Sequence, residues 1–229
     1  MIQAILFNPE GKLVNVDTTD FMRNYLGILA PRFAHLLSPD KFAKQLVKSL
    51  ETSQNNNNPE QTNKQTLGDD FSKAIGQSLN VMCPIFEKFY ESDFSTLRCL
   101  VQPTPQGVKV VEYAIQQGFL TAVATNPILP LSAMQEYVLW AGFKPEQFNV
   151  IPALEDFHYF KPQPGFFQEI AQKLGVEPDN CLMVSGQTQD LICQDIGMKV
   201  FMIGQEANEP ADYTGNLDDL FRLIGQGKL

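Results

Sequence analysis

Several residue types are scarce in this sequence, and each scarcity removes a class of function. Its 229 residues hold only two histidines, His35 and His158, too few for a histidine-built metal centre. The four cysteines (Cys83, Cys99, Cys181 and Cys193) contain no Cys-x-x-Cys pair. That argues against a zinc ribbon or a dithiol redox site and predicts free thiols in a reducing compartment. No run of 18 apolar residues occurs, so no membrane-spanning helix is expected. Met1 to Ala4 carry no basic cluster ahead of an apolar stretch, so no signal peptide is expected and a cytoplasmic location is. Basic residues are also short in supply, 17 against 26 acidic ones, for a net charge of -9. This balance argues against sequence-independent binding to nucleic acid or to anionic membrane. It also repels a phosphorylated ligand unless a local cationic pocket overrides it.

What is present is a large apolar fraction, 44% of the chain, enough for one large domain or a core with an insertion. Ile2 to Phe7 is a short continuous apolar run, like a strand buried on both faces, and ends at the turn formers Asn8-Pro9-Glu10-Gly11. Further runs occupy Leu120 to Ala124, the neighbourhood of Val150-Ile151, Cys181 to Val184 and Val200 to Ile203. Helical patterns fall between them, at Gln106 to Gln117, Leu131 to Trp140, Pro164 to Leu174 and Gln189 to Ile196. Strands alternating with helices predict an α/β fold with a parallel sheet between helical layers.

Residues from about 17 to 100 do not alternate. Phe21, Tyr25, Leu29 and Phe33 recur at helical spacing. So do Phe42, Leu46 and Leu50, after a possible cap at Ser38 with Pro39 behind it. Phe71, Ile75, Leu79, Met82 and Phe86 form a third stripe. The polar run Asn55 to Asn58 predicts a mobile loop between helices. The expected division is therefore an α/β core of residues 1–16 and 101–229 with a helical module of residues 17–100 inserted after the first strand. Ligands of such sheets bind beyond the carboxyl ends of the strands, which here means Asn8 to Lys12, Thr125-Asn126 and Ser185 to Asp190.

Four motifs at those places can be compared with a known pattern. They read Asn8-Pro9-Glu10-Gly11-Lys12-Leu13 after the first strand, Thr125-Asn126 after the second, Lys161-Pro162-Gln163-Pro164, and Ser185-Gly186-Gln187-Thr188-Gln189-Asp190 ahead of Gly197-Met198. In order and placement they resemble the haloacid dehalogenase superfamily, mostly phosphatases with an Asp nucleophile. The resemblance covers nearly the whole chain and implies a three-layer Rossmann-like core with a helical cap. Thr125, Asn126 and Lys161 match the pattern. The nucleophile position carries Asn8 and the acid/base position carries Glu10, where the family has Asp at both. Lys12 replaces a Thr, and the first Asp of the fourth motif is missing.

These departures fall where the family's chemistry lies. A carboxylate must attack phosphorus, and the Asn8 amide is a poor nucleophile. Magnesium prefers carboxylate and water oxygens, and both direct carboxylates are gone, with Asp190 a weak remaining candidate. No cofactor is therefore expected, and Mg²⁺ only if the protein is active. Glu10 reads either as a proton donor or as a solvated carboxylate, Asp190 as a ligand or a helix-start cap, and Thr125 as an anion contact or a turn cap. Lys12 reads as a second cation of the site or as a solvent-facing lysine, His158 as a solvated loop residue, and Trp140 as core with Leu139 and Phe143. Glu10 and Asp190 against Lys161 and Lys12 would need no metal. Such a pocket could hold a small anionic ligand through Lys161, Thr125 and Asn126. The leading expectation is a family member without ordinary phosphatase activity that binds such a ligand or a protein partner. An active hydrolase of a small phosphorylated metabolite, and a regulatory subunit binding through its cap, remain alternatives.

Overall fold

The structure, a computed structural model, describes residues 1–204, 211–227 and 229. The first strand, β1 (Ala4–Phe7), is wholly buried. A tight helical turn at Pro9–Leu13 follows, then β2 (Val14–Asn15). Four helices come next: α1 (Thr18–Leu29), α2 (Pro39–Gln54), α3 (Asn63–Ile75) and α4 (Leu79–Ser92). The chain returns through β3 (Gln102–Pro103) and α5 (Pro105–Gln116) to β4 (Leu120–Val123). It continues through α6 (Leu131–Trp140), α7 (Pro164–Leu174), β5 (Cys181–Ser185), a 3₁₀ segment at Thr188–Ile196 and β6 (Lys199–Ile203). The short strand β7 (Tyr213–Gly215) and α8 (Leu217–Gly225) complete the described elements.

The main sheet runs β4-β1-β5-β6-β7, every pairing parallel. Successive side chains of a strand face opposite ways, and both faces here are covered. Ile5, Phe7, Leu182, Val184, Phe201 and Ile203 pack on the side of α5, α6 and α8. Ala4, Leu6, Cys181, Met183, Val200 and Met202 pack on the side of α7 and the 3₁₀ segment. This is why the strand sequences read as continuous apolar runs, and it makes a three-layer α/β fold.

The inserted helices share a phenylalanine core. Phe33 stacks on Phe42 with ring centroids 4.3 Å apart, and Phe71 meets Phe42 edge-on at 5.4 Å. The stripe from Phe71 to Phe86 is split between two helices. Gly76 takes a left-handed conformation (φ 71°) after α3, which a glycine does at little cost. Ser38 takes the N-cap position of α2 without a side-chain cap bond, and Pro39 follows it.

The chain leaves and re-enters the sheet region through one two-stranded ribbon, with Val14 opposite Pro103 and Asn15 opposite Gln102. Thr104 fastens its base, donating to the Leu13 carbonyl at 2.6 Å and capping α5 at the Gly107 N–H. A side chain at Gly107 would place its Cβ 2.2 Å from the Leu13 carbonyl oxygen, so only glycine fits.

Other expectations changed on folding. The Val150 region forms a single bridge to Ala122 instead of a strand. The Asn55–Asn58 segment is tied to the core, because the Gln163 side-chain amide donates to the Asn56 carbonyl and to Asn57 Oδ1 at 2.8 Å. His158 has a partner, its Nδ1 lying 2.9 Å from Glu169 Oε1. Trp140 and Phe143 are buried core as expected, Trp140 packing on Phe94 at 4.8 Å, and only Leu139 differs, pointing outward at 53% exposed.

Candidate functional site

β1 and β5 are neighbours in register, with Phe7 opposite Val184. Their carboxyl ends therefore deliver Asn8 and Ser185 to one place. Both are fully buried, and so is Asp190. Asn8 Nδ2 donates to Asp190 Oδ2 at 2.8 Å and to Ser185 Oγ and Gln187 Oε1 at 3.2 Å. Ser185 Oγ donates to the same Asp190 oxygen at 2.6 Å and accepts from the Gln187 N–H. Carboxylate oxygens only accept, so the Asn8 amide must turn its nitrogen toward Asp190. Its oxygen, Oδ1, is then left buried without a hydrogen-bond partner among the described residues.

Lys161 approaches from the loop before α7. Its backbone N–H donates to Asn126 Oδ1 at 2.8 Å. Its ammonium reaches the Ala124 carbonyl at 3.0 Å and both oxygens of Asp190, at 2.7 and 2.9 Å. The contacts to Ala124 and to Asp190 Oδ2 are hydrogen bonds, and the approach to Oδ1 is an ion-pair contact. Lys161 and Asp190 thus form a buried ion pair. Asp190 lies within the 3₁₀ segment and makes no cap, because its carboxylate is spent on Lys161, Ser185 and Asn8.

Glu10 stands apart from this group. Its Oε1 accepts from Thr125 Oγ1 and from the Tyr137 hydroxyl, both at 2.9 Å. Burial, reinforced by the Glu10 charge, pushes the Tyr137 phenol well above its ordinary range. Tyr137 was invisible to motif reading; its signal is that a buried tyrosine hydroxyl requires a partner. Lys12 turns away from the cleft. It is exposed, and its ammonium lies 2.9 Å from the point where a Cβ on Gly204 would stand. Of the sequence-selected residues, Asn8, Lys161 and Asp190 meet directly, Asn126 positions Lys161, Thr125 holds Glu10, and Lys12 lies beside Gly204, outside the cleft lining. Ser185 and Gln187 join the group as the first and third residues of Ser185-Gly186-Gln187.

A cleft of 250 Å³ opens over these residues. Glu10, Thr125, Asn126, Lys161, Gln187 and Gln189 form its polar wall. Phe21, Met22, Ile128 and Leu129 face them, the first two from the inserted helix α1. The insertion thus supplies one wall of a cleft at the carboxyl ends of the strands, where such sheets bind ligands.

Magnesium would need open oxygen donors in a near-octahedral set. Asp190 Oδ2 takes three hydrogen bonds, while Oδ1, like Asn8 Oδ1, is buried without one among the described residues and faces the Lys161 ammonium at 2.7 Å, so this carboxylate is already charge-paired. Among the described residues, no three His, Cys, Asp or Glu side chains gather as a metal-holding group. Glu10 is turned to Thr125 and Tyr137, and Gln187 and Asn8 supply only neutral amide oxygens. The donor set does not fit the ion.

The same arrangement was compared with known proteins. The family model described as haloacid dehalogenase-like hydrolase matches residues 17–203. A pyrophosphatase PpaX from Halalkalibacterium halodurans is 26% identical over 69% of this chain and 75% of its own length. A PpaX from Bacillus cereus is 22% identical over 97% of this chain and 96% of its own. Among solved structures, a HAD phosphatase from Thermococcus onnurineus superposes with a TM-score of 0.59 at 18% identity, covering 98% of each chain. L-2-haloacid dehalogenase from Xanthobacter autotrophicus, with chloropropionic acid covalently bound, superposes at 0.57 and 15% identity, over 98% of this chain and 99% of its own. Identities this low carry the fold alone from the solved structures. The family match spans most of the chain, including the loops that bring Lys161 and Asp190 together, and on it the chain belongs to the haloacid dehalogenase-like hydrolase family.

Proposed function

We propose that this chain is a family member without phosphoryl-transfer chemistry that acts by binding a small ligand in the strand-end cleft. One observation carries the reading: Asn8 stands where the attacking carboxylate belongs and donates its amide protons to Asp190 at 2.8 Å. A neutral amide oxygen is a weak nucleophile. The amide nitrogen holds Asp190, and Lys161 neutralises it.

The chemistry of the cleft also narrows the ligand. The Lys161 charge is already paired with Asp190, and the Thr125 hydroxyl is directed to Glu10. Lys12 adds no charge to the cleft. Glu10 leaves the polar wall with one uncompensated negative charge. These pairings favour a small neutral, hydrogen-bonding ligand over the anionic one expected from charge counting. It would meet the Glu10 carboxylate and the amides of Asn126, Gln187 and Gln189.

The names of the relatives favour a second reading, hydrolysis of a pyrophosphate bond. The test is turnover of pyrophosphate, p-nitrophenyl phosphate and 2-chloropropionate at high protein concentration, with Mg²⁺ added. The wild type is expected to show no rate above buffer. A rate above buffer that Glu10→Gln abolishes would overturn the proposal in favour of hydrolysis.

A further inference from the structure

A second and larger cavity, of 470 Å³, lies between the inserted helices and the loops before α6 and α7. Its volume falls in the range of small-molecule sites, about 300–1,000 Å³. Leu46, Leu50 and Leu67 make its apolar floor, and four aromatic rings, Tyr25, Phe71, Phe86 and Tyr90, line it. The Tyr25 and Tyr90 hydroxyls satisfy each other at 2.7 Å, so the aromatic wall makes no unmet polar demand there.

The charge at this cavity has one dominant sign. Glu87, Glu91, Glu136 and Glu155 line it, against Lys64 alone. None of these five is in an ion pair among the described residues. Glu155 accepts from the Leu131 N–H at the start of α6, which fixes its carboxylate at the wall. Aromatic faces attract cations through their ring quadrupole, and uncompensated carboxylates do so through charge.

The helix wall has also been thinned. Gly68 lies inside α3, where glycine is the poorest helix former after proline. A Cβ there would meet only the end of the Leu79 side chain, at 3.2 Å. Backbone geometry does not demand this glycine; its effect is to leave space in the cavity wall.

We infer that this cavity is a binding site for an amphipathic organic cation, an amine or quaternary ammonium with an apolar body of roughly eight to twelve carbons. The apolar body lies among the leucines and rings, and the cationic head meets Glu136 and Glu155. The cavity shares Met22, Ile128 and Leu129 with the strand-end cleft but none of its polar residues, and the inference stands whether or not the cleft is catalytic.

The experiment is calorimetric titration of the full chain with octyltrimethylammonium, 1-octanol and octanoate, each below its aggregation concentration. The cation is expected to bind saturably, about tenfold or more tighter than octanoate, with octanol between them. Replacing both acids (Glu136→Gln with Glu155→Gln) should weaken the cation severalfold and leave octanol unchanged. Gly68→Leu should fill the cavity and abolish binding of all three, with a thermal melt verifying its fold. If that variant does not fold, resonance shifts of Leu67 and Tyr90 on adding the cation to the wild type give the readout. Absent saturable binding, octanoate binding as tightly as the cation, or cation binding that survives in folded Gly68→Leu would each overturn the inference. Asn8→Asp should leave the affinity unchanged, which keeps this result apart from that of the cleft.

Discussion

Replacing Asn8 by Asp tests the site most directly, because it changes one atom and one charge. In the wild type the Asn8 amide nitrogen lies 2.8 Å from Asp190 Oδ2. Asn8→Asp puts a carboxylate oxygen there. Two full charges at that distance repel by about 6 kcal/mol at an effective dielectric constant of ~20. The Lys161 ammonium already touches both oxygens of Asp190 and offsets part of this. A net loss of about 2–4 kcal/mol at pH 8 follows, or roughly 5–15 °C in Tm for a chain of this size. Burial and the neighbouring carboxylate both raise the new acid's folded pKa above its unfolded value of about 3.9. The folded state then holds its proton where the unfolded state has released it, so stability falls as pH rises through that window. Below the window the protonated acid donates to Asp190 as the amide does. The Tm difference between variant and wild type should be near zero at about pH 3 and full by about pH 8. A difference that does not change with pH, or no difference at about pH 8, would refute the hydrogen-bond direction assigned to Asn8.

Four further outcomes follow. Lys161→Met leaves Asp190 buried without its counter-charge and should cost about 3–5 kcal/mol in a urea titration. Tyr137→Phe removes one of two donors to Glu10 and should cost about 1–2 kcal/mol, read in the same way. Gly107→Ala forces a Cβ against the Leu13 carbonyl and should lower stability by at least about 2 kcal/mol, while Gly27→Ala, in open space within α1, should raise it by about 0.5–1 kcal/mol. Burial pushes the thiols of Cys181 and Cys193 up to about 12. A thiol reagent near neutral pH should therefore label the exposed Cys99 promptly and these two only after denaturation.

The strand ends were legible because a parallel sheet writes itself as continuous apolar runs that stop at turn residues. β5 and β6 lie within one residue of those runs, and β1 starts two residues after its run does. β7 was missed, being three residues long and only partly buried, which leaves no period to read. The stripe from Phe71 to Phe86 ran through a helix break, because apolar spacing can continue across Gly76 while the backbone turns. At the site, the motifs placed Asn8, Lys161 and Asp190 on three converging loops. Their order along the chain did not say that they would touch.

Sequence by itself determined the layer arrangement, the inserted helices, and the presence of an amide, Asn8, at the end of the first strand. These depend on local pattern and on side-chain identity, which the chain carries with it. Tertiary structure alone decided where each charge is spent. Lys12 and Lys161 are equal in a charge count, yet one is exposed beside Gly204 and the other is buried against Asp190. Glu10 and Asp190 are equal there too, yet one meets Thr125 and Tyr137 in a cleft and the other is closed off by Lys161, Ser185 and Asn8. Electrostatic interaction depends on distance and on exclusion of water, and both are properties of packing between residues 29 positions apart for Lys161 and Asp190 and 182 apart for Asn8 and Asp190.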